Sequence, residues 1–116
     1  MRTDWQALTD ILTACDEIAG FIDDCDYATF ISTIVIQRAV MYNLIIAGEA
    51  ANSVSLAIRQ QYDNVRWSDA VKMRNVAAHD YDVISYDRIW ATITGDVPVL
   101  RDQIAEILDR ELPGDE

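Results

Sequence analysis

The segment from Ala28 to Gln61 most constrains the fold of this chain. It reads as one long helix, and Phe30, Ile31, Ile34, Val35, Val40, Met41, Leu44, Ile45 and Ile46 make it apolar over more than one face. A helix apolar on several sides has to be covered on several sides, by other helices or by a second copy of the chain. Gly48 lies in its interior, where glycine costs about 1 kcal/mol relative to alanine. The expected return is close approach of a neighbouring backbone. Glu49 follows, three and four residues from Ile46 and Ile45, so its carboxylate sits beside the apolar face and needs a partner.

The remaining pattern is also helical. Thr3 and Gln6 form a capping-box pair, and Leu8, Ile11, Leu12, Cys15, Ile18 and Ala19 recur on one face until Gly20. Asp23, Asp24 and Asp26 make an acidic connector suited to the next helix start; they lack the glycine and distal glutamate of a calcium loop. Tyr62-Asp63-Asn64 breaks the long run. A third helix is expected from Trp67, with Ser68 as its N-cap, and a fourth from about Tyr86 to Ile93, stopping at Gly95. The fifth starts near Asp96 with Pro98 in its first turn. Four glycines and two prolines are too few for an all-β chain. The expected architecture is all-α: an antiparallel four- to five-helix bundle over residues 1–112, with 113–116 as a frayed tail, associating as a two-fold homodimer.

At 116 residues the chain makes one domain with a real core. No run of about 18 uninterrupted apolar residues occurs, and the N-terminus lacks a basic-then-apolar leader, so a cytoplasmic protein without a membrane segment is expected. Cys15 and Cys25 are expected as reduced, packed thiols. With one histidine in the chain, no Cys/His metal site is expected, and any imidazole chemistry runs through His79. The aromatic residues at helical spacing read as core or interface packing.

Net charge is −11, from 9 basic and 20 acidic side chains, which opposes non-specific nucleic-acid binding. The charge is uneven. Residues 64–88 carry four cations (Arg66, Lys72, Arg74, Arg88) against four aspartates, whereas 1–63 carry three against nine and 89–116 two against seven. Only the middle segment would not repel an anion.

That segment also concentrates the polar chemistry, in Arg74-Asn75-Val76-Ala77-Ala78-His79-Asp80-Tyr81. Five steps of about 100° put Arg74 and His79 on different faces of a continuous helix, so they converge only if the helix ends near Ala77–Ala78 or a second subunit supplies one of them. A fixed cation, a titratable imidazole, an amide and a phenol suit chemistry on a phosphodiester. The same spacing also fits an arginine and histidine that merely finish a helix. Residues alone therefore lead to a dimeric helical bundle with one candidate phosphate site.

The segment resembles the RX4-6H motif of HEPN domains, and with Tyr81 two residues after His79 the RX4-6HXY form of HepT-like ribonuclease toxins. Ile45-Ile46-Ala47-Gly48-Glu49-Ala50 resembles the IIGEA stretch of that family's long helix. Trp67 and the Ile89-Trp90 pair also fall where the family has them, so the resemblance covers roughly residues 4–110. It implies a two-fold dimer with the motif copies facing across a cleft. It further implies metal-independent RNA cleavage, without a cofactor, by attack of the substrate's 2′-OH, leaving a cyclic phosphate. By motif position Arg74 would bind or polarise the scissile phosphate, His79 would act as general base or acid, and Asn75 would orient the phosphate or His79. Tyr81 would receive AMP from a minimal nucleotidyltransferase antitoxin, adding bulk and negative charge where RNA must sit. Glu49 either reaches Arg74 and holds its guanidinium in place or only caps or pairs locally. The alternatives are a non-catalytic HEPN dimer that serves as partner of such a nucleotidyltransferase, and nucleotide binding without cleavage. Arg66, Lys72, Arg74 and Arg88, doubled in a dimer, are expected to give at most a small positive cleft.

Overall fold

A computed structural model describes residues 2–78 and 85–111, with 77 and 78 as backbone only; the expected 113–116 tail lies outside this range. Among the described residues there are seven α-helices, one π-helical turn and no strand. The helices are α1 (Asp4–Phe21), α2 (Tyr27–Ser32), α3 (Ile34–Ser53), α4 (Leu56–Gln61), α5 (Trp67–Ala78), α6 (Tyr86–Ala91) and α7 (Val97–Glu111); the π turn, Thr92–Asp96, joins α6 to α7. The fold is all-α, as the patterning requires.

Helix α1 starts on the expected reciprocal cap: the Gln6 amide donates to Thr3 Oγ1 at 3.1 Å, and the Thr3 amide donates to Gln6 Oε1 at 2.8 Å. Its buried row is Ala7, Leu8, Ile11, Ala14, Cys15 and Ile18, and it packs on α3 and α7. Burial pushes the Cys15 thiol up to about 12, so it is protonated at neutral pH. Cys25 is half-buried.

The long helix expected over 28–61 is three helices. The first break is at Thr33, in extended conformation (φ −123°, ψ 95°), after Ser32 has turned its hydroxyl back onto the carbonyls of Ala28 and Thr29. The second is at Val54–Ser55, where Ser55 caps α4 by accepting from the Ile58 amide. Asp4 secures this corner, its carboxylate accepting from the Ser55 amide at 2.8 Å and hydroxyl at 2.7 Å. Arg59 closes the preceding helix end by donating to the carbonyls of Val54 and Ala51.

Two other boundaries differ from expectation. Helix α5 begins at Trp67, so Ser68 lies inside its first turn and is not its cap; the indole of Trp67 donates to the Tyr62 carbonyl at 2.9 Å. Gly95 does not stop a helix. The chain runs helically from α6 through the π turn into α7, with Thr92 and Thr94 hydroxyls donating to the carbonyls of Arg88 and Trp90. Pro98 has no N–H to give, and the wider turn lies just before it.

Helix α3 is the centre of the bundle, with its main packing against α1 and α5. Its 20 residues are long and apolar enough to cross a membrane by length and composition, although no uninterrupted apolar run announces this. Val40, Leu44, Ala47, Gly48, Ala50 and Ala51 are buried within the bundle, together with the polar Gln37 and Asn43.

An aromatic cluster ties α2 to α6. Phe30, fully buried, meets Trp90 at 5.3 Å and Tyr86 edge-on at 6.1 Å between ring centroids, and Tyr27 meets Trp90 edge-on at 5.9 Å. Gln37 locks it from beneath: its amide donates to the Phe30 carbonyl at 2.9 Å, and its oxygen accepts from the Tyr86 hydroxyl at 3.1 Å. The Tyr27 hydroxyl donates to the Asp87 carboxylate, which raises its pKa above the usual tyrosine value. Asp26 caps α2, accepting from Thr29, and these hydrogen bonds hold its carboxyl below the usual range. The acidic connector therefore serves as a helix start.

Candidate active site

Gly48 determines how α5 sits on α3. A β-carbon at Gly48 would lie 2.6 Å from the Arg74 backbone nitrogen, 2.8 Å from the Arg74 β-carbon and 2.8 Å from the Val71 carbonyl oxygen. Only glycine lets the two backbones approach this closely. Gly48→Ala is expected to destabilise the protein by about 1–3 kcal/mol, because the atoms in the way are backbone and cannot swing aside. At Gly20 an added β-carbon meets nothing within 4 Å, so Gly20→Ala is expected to stabilise by about 0.5–1 kcal/mol through helix propensity. Urea unfolding of the two variants checks this opposition of sign.

The close approach sets Arg74 beside Glu49. Arg74 Nη1 lies 3.4 Å from Glu49 Oε1, with side-chain exposures of 34% and 56%. The carboxylate that stood beside an apolar face thus has its partner, and the guanidinium is half-buried. Such a pair orients more than it stabilises, because exposed ion pairs contribute at most about 1 kcal/mol. Asn75 is exposed on α5. His79 and Tyr81 lie outside the described residues, between α5 and α6.

The pair stands at one end of an apolar stripe on the outward face of α3. Steps of about 100° put Ile34, Val35, Arg38, Tyr42, Ile45 and Glu49 within one arc of about 100°. Val35 is 73% exposed, Tyr42 64% and Ile34 59%. Tyr42 is therefore not packed within one copy of the chain. Periodicity along α3 already carried the signal, since the segment was apolar on more faces than one bundle covers.

Within one copy of the chain, Arg74 lies apart from the other three cations of this segment. Arg74 turns toward α3, while Arg66, Lys72 and Arg88 line a separate groove on the opposite side of α5. Two steps of about 100° separate Lys72 from Arg74, which is enough to place them on opposite faces.

Comparison with known proteins agrees with this architecture. The family model described as "Ribonuclease HepT-like" matches residues 11–107. MJ1380 of Methanocaldococcus jannaschii, named as a candidate RNase, is 34% identical over 97 residues, covering 84% of this chain and 89% of its own. TTE0752 of Caldanaerobacter subterraneus subsp. tengcongensis, named likewise, is 31% identical over 111 residues, covering 96% and 99%. A protein of Thermococcus cleftensis named as a ribonuclease HepT candidate is 25% identical over 100 residues, covering 86% and 91%. No solved structure matches. The matched stretch contains α3 with Gly48 and Glu49, α5 with Arg74, and the segment that follows it, and the chain belongs to the HepT-like ribonuclease family.

Proposed function

We infer that the protein is a metal-independent endoribonuclease, the toxin half of a type VII-like toxin–antitoxin pair, acting in the cytoplasm as a two-fold homodimer. The observation that carries this reading is the Arg74–Glu49 pair at the margin of the unpartnered apolar stripe of α3. Burial of that stripe against a second copy brings apolar surface out of water and sets the two pairs at the edges of one interface. Arg74, fixed by Glu49, neutralises charge developing on the scissile phosphate as the neighbouring 2′-OH attacks. His79 removes or returns the proton, and the two subunits supply one imidazole each, which answers the need for both acid and base in a chain with one histidine. Asn75 orients the phosphate or the imidazole. AMP placed on Tyr81 by a minimal nucleotidyltransferase silences the site by charge and bulk.

The test is incubation of the dimer with total RNA and with transfer RNA in EDTA, beside His79→Ala. Cleavage that leaves cyclic phosphates and disappears in the variant is the expected result. Absence of cleavage by protein whose intact mass shows unmodified Tyr81 would overturn it and favour a non-catalytic partner of the nucleotidyltransferase.

A further inference from the structure

We propose that the groove between α5, α6 and the π turn, lined by Arg66, Lys72 and Arg88, binds the sugar–phosphate backbone of a single-stranded RNA whose scissile phosphate lies at Arg74. This rests on the ribonuclease reading above. The groove encloses about 400 Å³, and Met73 and Val76 of α5 and Thr92 of the π turn form part of its wall. It joins a second groove of about 350 Å³ through shared walls at Arg66, Asp69, Met73 and Asp96.

Charge selects the occupant. In a chain of net charge −11, three of nine cations face this groove against two carboxylates, Asp69 and Asp96. By contrast, the groove of about 550 Å³ between α1 and α7 presents four carboxylates and Arg101 alone. Arg66 is not withdrawn into a tight pair: it lies 3.8 Å from Asp69 and stays 87% exposed. Lys72 and Arg88 are exposed as well. A polyanion repelled elsewhere on this surface meets cations here.

Position links the groove to the site. Val76, in the last turns of α5, and Arg88, in the first turn of α6, wall it from the two helix ends that bracket residues 79–84. Lys72 and Arg74 belong to the same turn of α5 on opposite sides. A helix with its side chains is about 10–12 Å across, so a strand crossing α5 at that turn touches both. Arg66 lies about 9 Å further along the axis, extending the path away from the scissile phosphate. The division of labour follows: Arg74 acts on the reacting phosphate, and the groove cations hold its neighbours.

The test measures binding of a short fluorescent 2′-O-methyl oligoribonucleotide, which lacks the attacking hydroxyl, across a salt series. Lys72→Gln and Arg88→Gln are compared with Arg110→Gln, which removes the same charge from α7. Each groove variant is expected to bind about threefold or more weakly, and to lower the slope of log affinity against log salt by about 0.7, with the Arg110 variant unchanged. Cleavage of ordinary RNA by the groove variants is expected to show raised KM at unaltered kcat. Groove variants indistinguishable from the Arg110 variant would overturn the groove and leave the ribonuclease standing if cleavage persists. Weakened oligonucleotide binding in a protein that cleaves nothing, its intact mass showing unmodified Tyr81, would keep the groove as an RNA site and overturn the ribonuclease. A groove that serves an acidic protein segment instead predicts unchanged oligonucleotide affinity in all three variants, which is the overturning result.

Discussion

Arg74→Ala is expected to lower kcat for RNA cleavage by about 100- to 1,000-fold while melting within about 4 °C of the parent protein. The two halves of this result come from different physics. As a structural element, the Arg74–Glu49 pair is partly exposed at 3.4 Å, and exposed pairs of that kind contribute at most about 1 kcal/mol. As a catalytic element, a preorganised cation beside developing negative charge is worth about 2.7–4 kcal/mol of barrier. Stability and rate therefore separate in one variant. Arg74→Lys retains the charge without the planar fork and falls between the two. Glu49→Gln leaves Arg74 in place but loosens it, so kcat falls by about tenfold at unchanged KM if pre-organisation is the role of Glu49. Thermal melting beside steady-state kinetics decides the matter. A Tm drop of the same relative size as the activity loss would assign Arg74 to the fold instead, and full activity in Glu49→Gln would remove Glu49 from the site.

How far these features were legible depends on the range of the interactions that create them. The cap at Thr3 and Gln6 is a three-residue affair, and it formed as read. The buried row of α1 follows from its periodicity for the same reason. The breaks at Thr33 and Ser55 were missed because apolar periodicity passes straight through them. Ser55 turns the chain with the help of Asp4, 51 residues away, and no local window contains that partner. The error at Gly95 has another origin. Gly95 reads as a helix end, yet threonine hydroxyls meet the carbonyls of Arg88 and Trp90 and the helix widens into a π turn without stopping. At the site, Gly48 was legible as a point of close approach because a buried glycine in a helix needs a reason, and the reason is the backbone of Arg74. Charge summed along the sequence does not reveal that, within one copy of the chain, α5 sends Arg74 and Lys72 in opposite directions. His79 and Tyr81 remain an inference from motif alone.

The aromatic latch between α2 and α6 supports the largest expected change in stability. Phe30→Ala is expected to cost about 3–5 kcal/mol, because the ring is fully buried and Tyr86, tethered to Gln37, is not free to collapse into the space. Native domains have about 5–15 kcal/mol in total, so this variant loses a large share of it, and Tm falls by about 12–20 °C. Trp90 and Tyr86 lose their shared packing partner at once. Tyr86→Phe separates packing from hydrogen bonding within the same cluster. It keeps the ring against Phe30 but deprives the buried Gln37 oxygen of its donor, at about 1–3 kcal/mol. Val99→Ala, at a side chain 58% exposed on α7, is expected to change stability by less than about 0.5 kcal/mol. Denaturant unfolding of the three variants in that order of cost checks the account. A Phe30→Ala loss no greater than that of Tyr86→Phe would mean that the polar lock at Gln37, and not aromatic packing, holds α6 to α2. The distinction reaches the site, because α6 begins at Tyr86, directly beyond the segment that carries His79 and Tyr81. A loosened α6 frees the far end of that segment, so Phe30→Ala is also expected to lower RNA cleavage below the melting temperature of the variant, although Phe30 lies in the core and touches no substrate.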